Sequence, residues 1–236
     1  MAKPPPELEL TTTDKDTIML DIPQLLSRVK LFRKKAAVRC AMCSMGGVGS
    51  TALARHIGSI SDKTIREHAY TPAVYDDEVD IRLGYMFGNP YDAVLSLFRR
   101  NYQDMHAKAM NVNSPTPARS LRGMTLEEYL ERGVDEFNIE RQFDNWVSNL
   151  SPKHPTILIK YESLGSTIDK VLEFFQCEEP FELKRRNSSW VDQPSRIIEG
   201  LQLIYGDVAA KIDAMPPLKI LLPESVHTHT LNAVTS

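Results

Sequence analysis

The stretch from Val38 to Ile57 constrains the fold of this chain more than any other. A β-like run, Val38-Arg-Cys-Ala-Met-Cys-Ser-Met45, ends in the cluster Gly46-Gly-Val-Gly49. Two hydroxyl residues, Ser50 and Thr51, follow, and helical spacing then begins. Strand, glycine turn and helix in this order build an anion cradle. Glycines let the backbone approach a ligand closely, and the new helix turns unpaired N–H groups and its positive dipole end toward a phosphate. The order predicts a strand over about 38–44 and a helix over about 50–59. Ser50 and Thr51 also suit the start of a helix as capping residues, and the two roles use the same groups.

Composition narrows the class. The chain has 236 residues, 42% apolar and 25% charged, which fits one ordinary globular domain. The net charge of −3 carries no basic bias toward nucleic acid. No apolar run approaches the roughly 20 residues of a membrane helix, and the N-terminus has no apolar segment of the secretory kind. Three cysteines make no disulfide framework, so a reducing, cytoplasmic setting is expected. Cys40 and Cys43 form a C-x-x-C without a second Cys or His pair, and they read as core thiols rather than a metal site. His227 and His229 stand in a loose tail with no other ligand near in sequence, so no metal is expected.

Hydrophobic period and breakers divide the rest. Residues 1–21 read as a flexible N-terminal segment, 22–215 as a single domain and 216–236 as a C-terminal tail. Within the domain, residues 22–35 predict a short helix, Thr64–Ala69 an extended piece and Ile81–Phe87 a buried strand. Gly88-Asn-Pro90 breaks that strand, and 91–102 has helical period. Residues 111–124 form a Pro-broken polar loop of the length that often covers a site. Thr125-Leu-Glu-Glu128 is a capping box, predicting a helix to about Leu150. A strand at 156–161 and helices near 167–176 and 194–214 complete the pattern. Strands alternate with helices, so the expected class is α/β, three-layered, with a mainly parallel central sheet. Ligands of such sheets bind beyond the carboxyl ends of the strands. That places the 46–51 turn, the 88–90 corner and Tyr161-Glu162 at one edge, with His68 beside them if 64–69 is also parallel.

Four segments together resemble the PAPS-dependent sulfotransferase superfamily. Gly46-Gly-Val-Gly-Ser-Thr51 is similar to that family's P-K-S-G-T-T loop. Arg66-Glu-His68 is similar to its K-T-H segment. Gly88-Asn-Pro-Tyr-Asp-Ala-Val-Leu-Ser96 resembles R-N-P-K-D-V-x-x-S, and Ile157-Leu-Ile-Lys-Tyr-Glu-Ser-Leu164 resembles L-x-x-x-Y-E-D-L. The order is that of the family, and the likeness runs over roughly residues 37–210. The resemblance implies a P-loop sulfotransferase architecture and transfer of a sulfuryl group from PAPS to a hydroxyl or amine of a small-molecule acceptor, leaving PAP. It implies that Gly47, Val48, Gly49, Ser50, Thr51 and Ala52 hold the 5′-phosphosulfate. Ser96, helped by Arg100, Arg185 and Arg186, would hold the 3′-phosphate, and His68 would act as the general base.

Two cations of the family pattern are missing. Gly47 stands where the loop lysine would be, and Gly88 where an arginine would grip the 3′-phosphate. Charge-assisted hydrogen bonds of that kind are about twice as strong as neutral ones. Arg55, Arg66 and Arg99 are further substitutes. The losses leave two alternatives open: a sulfotransferase-like binding or scaffold protein, and a small P-loop kinase, although the lysine of a Walker loop is absent too.

Overall fold

The computed structural model describes residues 39–60, 64–112, 114–115, 117–148, 152–183 and 189–223, and of 59–60 and 64–67 the backbone alone. The expectations for residues 1–35, for Arg185 and Arg186, for the side chain of Arg66 and for His227 and His229 fall outside the described residues.

Strand β1 (Arg39–Ser44) lies between two parallel partners, which satisfy both its backbone edges, and its side chains from Cys40 onward are buried, as expected of a parallel sheet packed on both faces. Helix α1 (Ser50–Ile60) leads to β2 (Thr64–Glu67), whose Glu67 lies opposite Cys43. Strand β3 (Ile81–Phe87) pairs with β1 from Arg39↔Ile81 to Ser44↔Met86. Helices α2 (Pro90–Arg99), α3 (Gln103–Met110), α4 (Leu126–Glu131) and α5 (Ile139–Phe143) follow, the last running into one π turn over Asp144–Ser148. Strand β4 (Thr156–Lys160), α6 (Leu164–Phe174), α7 (Ser195–Asp213) and β5 (Leu218–Leu221) end the described chain. The protein is therefore α/β with an open, mixed five-stranded sheet ordered β2-β1-β3-β4-β5. The first three pairings are parallel, and β5 runs antiparallel to β4. Strand β5 lies inside the segment read as a tail. Its short sequence, Leu-Lys-Ile-Leu, has only half-buried or exposed side chains and so gives little apolar signal. None of the described helices is long and apolar enough to cross a membrane.

The core gathers where α5, the π turn and β3 meet. The Tyr85 and Trp146 rings stack at 5.1 Å, and Phe143 sets its edge to Phe87 at 5.4 Å. Helix α7 packs its buried face on α2, α4 and α5. Burial pushes the Cys40 thiol up to about 11, the behaviour of a packed thiol rather than a reactive one.

One long helix was expected over 125–150, and the structure breaks it. The capping box is present, with Glu128 N–H on Thr125 Oγ1 (3.2 Å) and Thr125 N–H on Glu128 Oε2 (2.8 Å). Gly133 (φ +64°) and Asn138 (φ +53°) then take left-handed conformations and separate α4 from α5. Val134 is exposed in this turn. Asp135 accounts for the turn's shape. Its Oδ2 accepts from Glu140 N–H at 3.1 Å, while its Oδ1 is buried without a hydrogen-bond partner. Tyr205 of α7 joins the cluster, its hydroxyl hydrogen-bonded to that of Tyr129. Burial pushes the Asp135 carboxyl up to about 6, outweighing the amides and the Tyr205 hydroxyl that favour its charged form.

This sets a pH dependence. Between about pH 4 and 6 the folded chain holds a proton that the unfolded chain has released. Stability fully present below the unfolded value is thus lost as pH rises through the folded one, by about 3 kcal/mol. Asp135→Asn cannot titrate. In urea unfolding, the stability of the wild type relative to Asp135→Asn should fall by that amount from about pH 3 to pH 7, and parallel profiles would contradict the assignment.

Candidate functional site

The glycine turn is built where β1 leaves the sheet. Met45 N–H still pairs with Met86 O (3.3 Å), and the chain then reverses through Gly46 (φ +84°) and Gly47 (φ +68°). Two consecutive left-handed residues are cheap only for glycine. Space imposes the same choice. A Cβ on Gly46 would stand 2.0 Å from Cε1 of His106, and one on Gly47 would stand 2.5 Å from the Ala93 carbonyl oxygen. A Cβ on Gly49 would meet the Tyr161 ring at 2.9 Å. The turn is thus wedged between α3, the backbone of α2 and Tyr161, with Val48 driven into the core. Among the described residues, the N–H groups of Gly47, Val48, Gly49, Ser50 and Thr51 have no hydrogen-bond partner, whereas Ala52 N–H returns to Gly49 O at 3.2 Å. An uncapped helix start of this kind favours an anion.

His68 lies at the neck of the turn. Its Nδ1 is 2.8 Å from Ser44 O and 3.4 Å from Ser44 Oγ. A carbonyl only accepts, so Nδ1 carries the proton and Nε2 is the basic nitrogen. Ser44 Oγ also hydrogen-bonds Ser50 Oγ at 2.7 Å. The Ser50 side chain is buried and turned into the neck toward Ser44. Thr51 is half-buried, and Ala52 is exposed at the helix start.

The chain after His68 is held by α5 and the π turn. Gln142 Nε2 and Trp146 Nε1 both donate to Ala69 O at 2.9 Å, and Asn145 Nδ2 donates to Tyr70 O at 3.2 Å. Gln142 is fully buried, and its Oε1 accepts from the Tyr85 hydroxyl at 3.1 Å. π turns occur often at functional sites. Neither Gln142 nor His106 stood out in the sequence. A signal existed for His106: Gln103, His106, Ala107 and Met110 share the buried face of α3 at helical spacing.

The 88–90 corner differs from an anion seat. Asn89 Oδ1 accepts from Tyr91 and Asp92 N–H (2.9 and 3.2 Å), and Asn89 N–H donates to Glu162 Oε1 at 2.6 Å. The start of α2 is thus already capped, in part by a carboxylate. A Cβ on Gly88 would stand 2.9 Å from that same Glu162 oxygen. Ser96 is buried, and its carbonyl accepts Arg100 Nε at 2.9 Å while the guanidinium lies over the Tyr102 ring. Arg100 sits roughly 10 Å along the α2 axis from Ala93, against which the turn packs. Arg99 is exposed. His56 and His154 donate Nε2–H to the carbonyls of Glu179 (3.0 Å) and Tyr75 (2.8 Å), which are structural roles.

The 111–124 loop, expected to cover the site, is docked on α3. Ser120 Oγ and Leu121 N–H both donate to Asp104 Oδ1 at 2.9 Å, and Leu121 is fully buried. Lys108, with Ser120 and Leu121, holds the Asp104 carboxyl at about 2. A cleft of about 640 Å³ opens near the carboxyl end of α2, among Leu95, Arg99, Gln103 and Gln193, and is lined by none of the turn residues. The described residues bring together the turn, His68 and the 88–89/161–162 corner.

Comparison with protein families, curated proteins and solved structures gave no match.

The wedge at Gly47 can be weighed against a glycine that has the same handedness but open surroundings. Gly133 has φ +64° and nothing within 4 Å of an added Cβ. Gly133→Ala should cost about 1 kcal/mol from its left-handed backbone alone. Gly47→Ala should cost about 2–4 kcal/mol in urea unfolding, because the Ala93 backbone must also move. Equal costs would show that the turn is not wedged.

Proposed function

We propose that this chain binds the phosphosulfate end of PAPS on the 46–51 turn and transfers the sulfuryl group to a hydroxyl or amine of a small-molecule acceptor. The observation that carries the reading is one of placement: unpartnered amides from Gly47 to Thr51 and a histidine with a defined basic nitrogen meet at a single β1–α1 neck. The pairing of β1 with parallel strands on both sides supports a P-loop sulfotransferase-like architecture, whose catalytic domain would extend through β5 rather than end at 215.

The donor set fits the anionic end of PAPS through backbone amides rather than side-chain cations. PAPS would supply the activated sulfuryl group. The amides would hold its terminal oxygens without any loss of hydrogen bonds elsewhere in the chain. His68 Nε2 would take the proton from the acceptor, and the Nδ1–H bond to Ser44 O would orient the ring and steady its charged form. Arg100, Arg185 and Arg186, together with Ser96, are the groups proposed for the 3′-phosphate.

A second reading, a binding protein that no longer turns over, is favoured by the corner. Glu162 puts a carboxylate at the start of α2, and Gly47 and Gly88 are neutral and packed tight. The same packing means that a lysine at position 47 would not restore the missing charge, because its Cβ would enter the α2 backbone.

Calorimetry with PAP separates the readings. Binding by the wild type and by His68→Ala, with sulfuryl transfer lost only in His68→Ala by at least about a hundredfold, is the expected result. Unchanged turnover in His68→Ala removes the base assignment. No heat with millimolar PAP favours the second reading. A thermal shift with ATP that requires Mg²⁺, and none with PAP, would turn the assignment toward a kinase.

A further inference from the structure

The Met45 carbonyl and the space beside Gly46 are both occupied by one residue of another element. His106, on α3 and 5% exposed, brings Nε2 to 3.0 Å from Met45 O. The carbonyl accepts, so His106 is protonated on Nε2. Its ring fills the space in which Gly46 would carry a side chain, and a Cβ there would be 2.0 to 2.9 Å from three of its atoms. The same ring meets His68 edge-to-face, with centroids 4.6 Å apart and planes at 84°, and it rests on Phe137 on another side. Two imidazoles therefore grip consecutive peptide carbonyls, Ser44 O and Met45 O, at the last two residues before the chain reverses.

The consequence lies in the peptide planes. A peptide carbonyl and the N–H of the same unit point in opposite directions. Holding Met45 O against His106 keeps that carbonyl dipole turned to α3 and fixes where the next amides point. A carbonyl rotated into the turn would set negative partial charge among the N–H groups of Gly47 to Thr51. The ring contact at the same time sets where the His68 imidazole can lie.

We infer that His106 is a positioning residue of this site. It locks the Met45–Gly46 peptide and holds the His68 ring against Ser44 O, and so fixes both the anion-facing amides and the contact that sets the tautomer of the base. Its meaning for catalysis rests on the function proposed above; its structural content does not.

Long-range ¹⁵N–¹H spectra of the imidazoles in the wild-type protein test the premise. His68 is expected as the Nδ1–H tautomer and His106 as Nε2–H, and the reverse pattern at either residue overturns the proposal. Two variants test the action. His106→Phe keeps a ring and loses the donor, and should move His68 toward a mixture of tautomers and shift the amide signals of Gly46 to Gly49. His106→Gln carries an amide N–H at similar reach and should restore both. A folded His106→Phe with an unchanged His68 tautomer and unchanged turn amides, whatever its melting temperature, would reduce His106 to a packing residue. If His106→Phe does not fold, His106→Gln decides: a wild-type His68 tautomer and turn amides support the clamp, and displaced ones refute it. These spectra do not depend on PAP binding, so failure of the clamp and failure of the sulfuryl-transfer reading are told apart.

Discussion

The arrangement rests on β1 being paired by parallel strands on both sides. That pairing satisfies both backbone edges of β1 and brings its carboxyl end level with those of β2 and β3. Every group of interest leaves from that level: Ser44 and the glycine turn from β1, His68 from β2 and the Gly88 corner from β3. A one-residue slip in either ladder would invert the side chains of β1 and separate His68 from Ser44 O.

The site that results is polar inside and neutral in charge. Its fixed donors are backbone amides, and its side chains of known placement are Ser44, Ser50, His68, His106 and Gln142, tied to one another or to carbonyls. Buried polar groups this completely joined hold one geometry, since breaking any link leaves an unsatisfied group. Glu162 puts a carboxylate at the second corner, where it serves the chain by accepting from Asn89 N–H. An anion bound at such a site would be held by direction of hydrogen bonds more than by attraction of opposite charge.

Much of this was legible in the sequence because it depends on local pattern. The strands 39–44, 81–87 and 156–160 are apolar runs bounded by breakers, and Thr125 and Glu128 mark a helix start wherever they occur. The glycine cluster announced its turn, and His68 landed beside it. What was not legible depends on contacts distant in sequence. The break at Gly133 and Asn138 is stabilised by Asp135 and Tyr205, which are seventy residues apart, so helical period alone ran through it. Strand β5 is defined by its partner β4 and not by its own half-exposed residues. His106 looked like one polar residue on a helix, and its role appears only once α3 crosses Gly46. The inward turn of the Ser50 hydroxyl and the capping of α2 by Glu162 likewise need the assembled sheet.

The near-contact of Gly47 with the Ala93 backbone has an entropic side. A loop pressed against a helix, with an imidazole above and a phenol ring beyond, has no slack with which to fold over a visitor. A ligand received there would meet a shape that exists beforehand, so little ordering entropy would remain to be lost.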